Sequence, residues 1–317
     1  MDPAVALIGS TLNATSLLSP RAAGRGAFEI FLRPGRRGRV RPAEREVHER
    51  AVTEELTVRG KRVVTYRWGD GARPVLLLHG WQSRASRYAA LIPRLRALGL
   101  TPVSFDAPGH GDSGGRTTTI LEYREAIRQL QDRHGAFDSV VAHSFGVTCA
   151  FLALREGVRA GRLVAVAGVG EFGYLPARFA AGLGLHARVE RELRRRIEQV
   201  LFAGTDDVWA HFDAAHDPAA VPLPILAVHD EGDAVARIGQ AHRLKAAYGD
   251  RLQLLTTTGL GHSRILTAPA VIDNIVGFLG EARTEGVADG RPGARAGADA
   301  GTRAGAGAEA AAAAAAG

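Results

Sequence analysis

Ser144 lies in the pentapeptide Ala142-His143-Ser144-Phe145-Gly146, between the apolar pair Val140-Val141 and a helix-forming stretch from Val147 to Leu154. A serine at a tight strand-to-helix turn needs small residues two positions before and after it, because the backbone there is strained and closely crossed by neighbouring elements. Ala142 and Gly146 meet that need. Such a turn lifts the hydroxyl above the end of a sheet. It also points the N-terminus of the next helix, with its free N–H groups, at any oxyanion formed beside it. The chemistry that fits is acyl transfer. The motif alone is a weak signal in a chain with 39 glycines, so its partners matter more.

A serine hydroxyl is a poor nucleophile at neutral pH and requires a histidine base, itself oriented by a carboxylate. Both residue types follow downstream in that setting. Val221 to Val228 reads as a buried strand, and the turn His229-Asp230-Glu231-Gly232-Asp233 presents Asp233 at its C-terminal end, with Asp230 as the rival acid. A short β-type run, Leu252 to Thr256, leads to Gly259-Leu260-Gly261-His262-Ser263, which places a glycine-flanked histidine at the same sheet edge. The cluster His211-Phe212-Asp213-Ala214-Ala215-His216-Asp217 has no compact ligand spacing, so no metal is expected there. His134, His186, His216 and His242 read as surface or packing residues.

Two further motifs complete a pattern that resembles the α/β-hydrolase superfamily over roughly Val52 to Leu279. Leu76-Leu77-Leu78-His79-Gly80-Trp81 is similar to that family's strand and HGx loop, and Asp106-Ala107-Pro108-Gly109-His110-Gly111-Asp112-Ser113 to its D-x-P-G-x-G-x-S segment. The resemblance implies an esterase- or lipase-like enzyme without cofactor. In it Ser144 is the nucleophile, His262 the general base and then acid, and Asp233 the group that fixes the imidazole tautomer. It further implies an oxyanion hole made by the backbone N–H groups of Trp81 and Phe145, with the Trp81 indole available as a pocket wall. Asp230 stands where relatives often carry glycine, which favours Asp233 as the orienting acid and leaves Asp230 to cap the turn. The chain departs from the common pattern at Ala142, where glycine is usual, and at Asp233-Ala234-Val235-Ala236, where many relatives have a proline after the valine. The implied reaction is hydrolysis of a carboxylic ester with a small or medium acyl chain. Thioester, lactone and amide substrates use the same constellation, and a non-catalytic ligand-binding or scaffold member is the alternative from another class. Haloalkane and epoxide hydrolases of the superfamily carry aspartate at the position of Ser144.

The elements that must hold these residues alternate. Strands are expected at 53–58, 62–68, 75–78, 101–105, 139–142, 163–167, 225–228 and 252–256, and helices at 88–98, 120–134, 145–155, 238–248 and 269–279. This alternation predicts an α/β fold with a mostly parallel, doubly wound sheet, its first two strands forming a hairpin through Arg59-Gly60-Lys61. Residues 170–222 break the alternation with apolar residues at helical spacing, from Phe172 to Phe202, interleaved with Arg188, Arg191, Arg194, Arg195 and Arg196. They read as a helical cap inserted before the acid-bearing strand, with the arginines on a solvated face.

Residues 1–51 form an extension, 52–282 the hydrolase-like domain, and 283–317 an Ala/Gly/Arg-rich tail with too little apolar surface to order itself. Met1-Asp2-Pro3 lacks the positive start of a signal peptide, and no run is long enough to span a membrane. Ala27 to Leu32, followed by Arg33, Arg36, Arg37, Arg39 and Arg41, offers two readings: peripheral membrane contact, or a helix packed on the domain or its cap and followed by a basic linker. The apolar face is short for membrane binding, which favours packing. The net charge of +7 comes with only Lys61 and Lys245 among 40 basic residues and with no nucleic-acid-binding motif, so the expected partner is a small ester-type molecule rather than nucleic acid. Cys149 is the single cysteine, which rules out an intramolecular disulfide and suits a reducing, cytoplasmic setting.

Overall fold

The apolar runs pair into one sheet whose two faces divide the core by strand periodicity. The structure, a computed structural model, describes residues 3–280. Its strands are β1 (Val52–Val58), β2 (Lys61–Arg67), β3 (Pro74–Leu78), β4 (Thr101–Phe105), β5 (Ser139–His143), β6 (Leu163–Val166), β7 (Ile225–Asp230) and β8 (Leu252–Thr257). They lie in the order β1-β2-β4-β3-β5-β6-β7-β8, with β1 and β2 antiparallel at one edge and β3 to β8 parallel. Successive side chains of a strand point to opposite faces. Leu76, Leu78, Val140, Ala142, Ile225 and Ala227 accordingly join one core cluster, while Val75, Leu77, Val141, Leu226 and Val228 join the other. The central strands are buried on both faces, which is why they read as unbroken apolar runs.

Twelve α-helices accompany this sheet among the described residues. The extension contributes α1 (Pro3–Leu18), α2 (Pro20–Phe31) and α3 (Pro42–Glu49), followed by α4 (Ile92–Ala97), α5 (Ile120–His134) and α6 (Phe145–Arg155). Between β6 and β7 come α7 (Tyr174–Leu183), α8 (Ala187–Arg196) and α9 (Val208–His211), and the chain continues with α10 (Gly239–Tyr248), α11 (Gly261–Arg264) and α12 (Pro269–Gly280). The helix expected over 88–98 is shorter than its apolar spacing suggested. Residues Ala85–Tyr88 make a 3-10 turn, and α4 starts only at Ile92. Pro93 lacks an N–H and crowds the preceding turn, so it is accommodated in the first turn of a helix and not in its middle.

Extension, sheet and cap belong to one compact unit. Helix α2 packs along α8, and α1 touches α2, α7 and α8. Ala23, Ala27 and Phe28 are buried by that packing, so the apolar face that offered membrane contact is turned inward. The arginines of α8 are not simply solvated. Arg194 bonds Glu190 at 3.2 Å and the Gly173 carbonyl at 2.9 Å and lies over the Trp209 ring, while Arg196 lies over Phe28. No described helix is long and apolar enough to cross a membrane. The tail at 283–317 lies outside the described residues.

Candidate active site

Four strand ends on one side of the sheet supply the site, at the carboxyl edge where open α/β sheets bind ligands. Ser144 follows β5 directly, with φ 55° and ψ −121°, a conformation that a non-glycine residue adopts only when its surroundings impose it. Its N–H is held by the Val166 carbonyl at 3.0 Å, and Phe145 opens α6 immediately after it. Gly146 is required by a close approach. A Cβ there would stand 2.6 Å from the Leu78 carbonyl oxygen and 2.9 Å from that of His79.

The structure brings Ser144, His262 and Asp233 into one chain of hydrogen bonds. His262, in α11 beyond β8, has Nε2 2.9 Å from Ser144 Oγ and Nδ1 2.7 Å from Asp233 Oδ2. With Nδ1–H donating to the carboxylate, Nε2 is free to accept the serine proton. Asp233 lies in the turn after β7, and its Oδ1 accepts the N–H groups of Val235 at 2.7 Å and Ala236 at 3.0 Å. Burial alone raises the pKa of this carboxyl. The hydrogen bond and charge of His262, together with those two N–H groups, outweigh it and hold Asp233 below the usual carboxylate range.

Asp230, the rival acid, is engaged elsewhere. Its Oδ1 accepts Gly232 N–H at 3.1 Å, and its Oδ2 accepts Leu260 N–H and the Thr257 hydroxyl, each at 2.9 Å. It therefore caps the acid turn and also ties it to the loop that carries His262. Sequence reasoning gave His143 no role of its own, yet its Nε2 donates to the His262 carbonyl at 2.9 Å, with the two rings 4.8 Å apart. Burial lowers the His143 pKa to about 3, so the ring is neutral and serves as a fixed strut. Its neighbouring position to Ser144 was the available signal.

Trp81 follows β3 in a loop fixed by two more neutral histidines. His79 accepts Ala107 N–H through Nε2 at 3.0 Å and so donates from Nδ1 to the Gly80 carbonyl at 2.7 Å; burial takes its pKa down to about 4. His110 accepts Gln82 N–H through Nε2 at 3.1 Å, and burial takes it to about 3. The N–H groups of Trp81 and Phe145 donate to no backbone carbonyl among the described residues, and Phe145 N–H is one of the free donors of a helix start.

Ser144 opens into a cavity of about 310 Å³ lined mostly by apolar side chains, among them Trp81, Phe145, Phe172, Leu175 and Phe179. Phe31 and Leu32 of the extension also line it, a placement for which the apolar character of 27–32 is the one local sign. Among the described residues no group of three His, Cys, Asp or Glu side chains is gathered to hold a metal ion, and Asp213 binds Arg243 and Ala215 N–H instead.

Residues 75–290 match the alpha/beta hydrolase family. Solved structures with a similar fold include alpha/beta hydrolase domain-containing protein 10 from mouse, 16% identical with a TM-score of 0.58 over 74% of this chain and 99% of that one. An esterase from Pyrococcus furiosus is 19% identical with a TM-score of 0.56, over 79% of this chain and 97% of that one. A monoacylglycerol lipase from Paleococcus ferrophilus is 20% identical with a TM-score of 0.54, over 69% and 98%. No curated protein sequence matches the chain.

Proposed function

The chain belongs to the alpha/beta hydrolase family, and on that premise we propose that it is a serine hydrolase cleaving carboxylic esters of a small or medium acyl chain. The observation that carries the reading is the unbroken relay from Ser144 through His262 to the buried Asp233, opening on an apolar cavity. Ser144 Oγ attacks the ester carbonyl while His262 Nε2 takes its proton, and the carbonyl oxygen becomes an oxyanion held by the N–H groups of Trp81 and Phe145. The carbon–oxygen bond to the alcohol then breaks, and His262 returns the proton to the departing alcohol. Water, deprotonated by His262, adds to the acyl-enzyme and releases the acid and Ser144. Asp233 stays ionised throughout and stabilises the imidazolium.

A cavity of about 310 Å³ is at the small end for ligand sites, which supports short to medium chains over long ones. The test is stoichiometric labelling by a fluorophosphonate, mapped by intact mass and peptide analysis, on the native protein and on Ser144→Ala. One equivalent on Ser144, absent in the variant, is the expected result. A folded native protein that takes up no label would remove the activated nucleophile and, with it, this reading.

A further inference from the structure

The extension supplies part of the substrate pocket although it precedes the family match, which begins at residue 75. Phe31 and Leu32, at the C-terminal end of α2, line the same cavity as Ser144. Their position is fixed from several sides. The Phe31 ring meets Phe179 of α7 edge to face, with centroids 5.4 Å apart. The Leu32 carbonyl accepts Thr118 N–H at 3.0 Å, from the loop that lines the cavity on another side. Arg37, just beyond, donates to the carbonyls of Gly111 at 3.1 Å, Gly115 at 2.7 Å, and Ser113.

Helix α2 itself is clasped to the cap. Gly24 lies so close to Glu192 of α8 that no Cβ could be accommodated. Asn13 of α1 bridges the turn between α7 and α8, donating to the Gly184 carbonyl and accepting His186 N–H, both at 2.8 Å. The lid over Ser144 is therefore composite, with α7 and α8 supplied by the cap and α1 and α2 by the extension.

We propose that the end of α2 is the gauge that sets how long an apolar chain beside the scissile carbonyl can be, with Phe31 as its principal stop; this rests on the serine-hydrolase reading of Ser144. The ligand chemistry is an alkyl chain, because the side chains around the end of α2, Phe31, Leu32, Leu175, Phe179 and Leu201, offer dispersion contacts and carry no polar groups. At roughly 30 Å³ for each water-sized group, the cavity has room for about ten such groups. A side chain in its lining thus competes directly with the last carbons of the substrate.

The experiment compares the native protein with Phe31→Ala, Phe31→Trp and, as control, Glu29→Ala, an exposed position on α2 that pairs with Arg25. The kcat/KM is measured on p-nitrophenyl esters from acetate to dodecanoate, and in a second arm on acetate esters of alcohols of the same lengths. Fluorophosphonate labelling of Ser144 is followed in every sample. Phe31→Ala is expected to move the optimum to longer chains, changing the decanoate-to-butyrate ratio by about tenfold or more, and Phe31→Trp to move it the other way. Glu29→Ala keeps the native profile. The arm in which the shifts occur tells whether the gauged chain is the acyl or the alcohol part. Loss of packing alone would lower all chain lengths together and could not produce opposite shifts. Superimposable profiles with Ser144 still labelled would overturn the gauge and leave the nucleophile standing, whereas no label on the native protein would overturn both.

Discussion

The strand-end site and the lid above it are built on different principles. At the strand ends, Ser144, Asp233 and the loop after β3 are each within a few residues of a fully buried strand and are positioned by local hydrogen bonds. The lid joins two segments separated by more than a hundred residues, tied by Asn13, by α2 against α8 and by Phe31 against Phe179. The proposed chemistry thus rests on groups held at the ends of buried strands, while substrate fit rests on packing between helices of the cap and the extension.

The two carboxylates of the acid turn differ most. Asp233→Asn is expected to lower kcat by about 10⁴-fold by holding the wrong imidazole tautomer. Asp230→Asn keeps turnover within about tenfold, since it touches loop N–H groups and a hydroxyl instead of the base. Steady-state kinetics on one activated ester decides it, and equal losses would mean that the two acids share the task.

Acid stability should separate the strand-end site from the lid next. His79, His110 and His143 have pKa values lowered to about 4, 3 and 3, all by burial. In the unfolded chain they take up protons as pH falls through about 6.5. The folded protein resists until their lowered values, so the unfolded state binds more protons in that window and stability falls with falling pH. Each contributes a slope of about 1.4 kcal/mol per pH unit. Urea titrations between neutral pH and pH 4 should show this slope, reduced by about one histidine's share in His143→Asn.

Gly146→Val should cost about 3 kcal/mol by driving a branched side chain into the Leu78 and His79 carbonyls. A native-like melting temperature for that variant would contradict the close approach of α6 to β3. Asn13→Ala is expected to be the mildest, losing about 1 kcal/mol as two lid hydrogen bonds disappear. Hydrogen exchange should then report faster opening of the turn between α7 and α8, with the strand-end amides unchanged.

Much of the strand-end site was legible because its signals are local. A small-x-Ser-x-Gly turn, an acidic turn after an apolar run and a glycine-flanked histidine each declare a strand end within a few residues. The helix expected over 88–98 starts only at Ile92, because Pro93 lacks an N–H and fits the first turn of a helix alone. The strut role of His143 depends on a carbonyl 119 residues away, so its place beside Ser144 is the one local sign of it.

The order of the elements and the types of groups at three loop ends follow from local rules, since backbone strain, turn chemistry and side-chain periodicity act over a few residues. That Ser144, His262 and Asp233 stand within hydrogen-bonding reach, that Asp230 binds the histidine loop instead, and that Phe31 closes on the cavity are products of the folded chain. Those outcomes depend on how twisted strands and packed helices bring distant segments together, and packing is decided by the whole core at once.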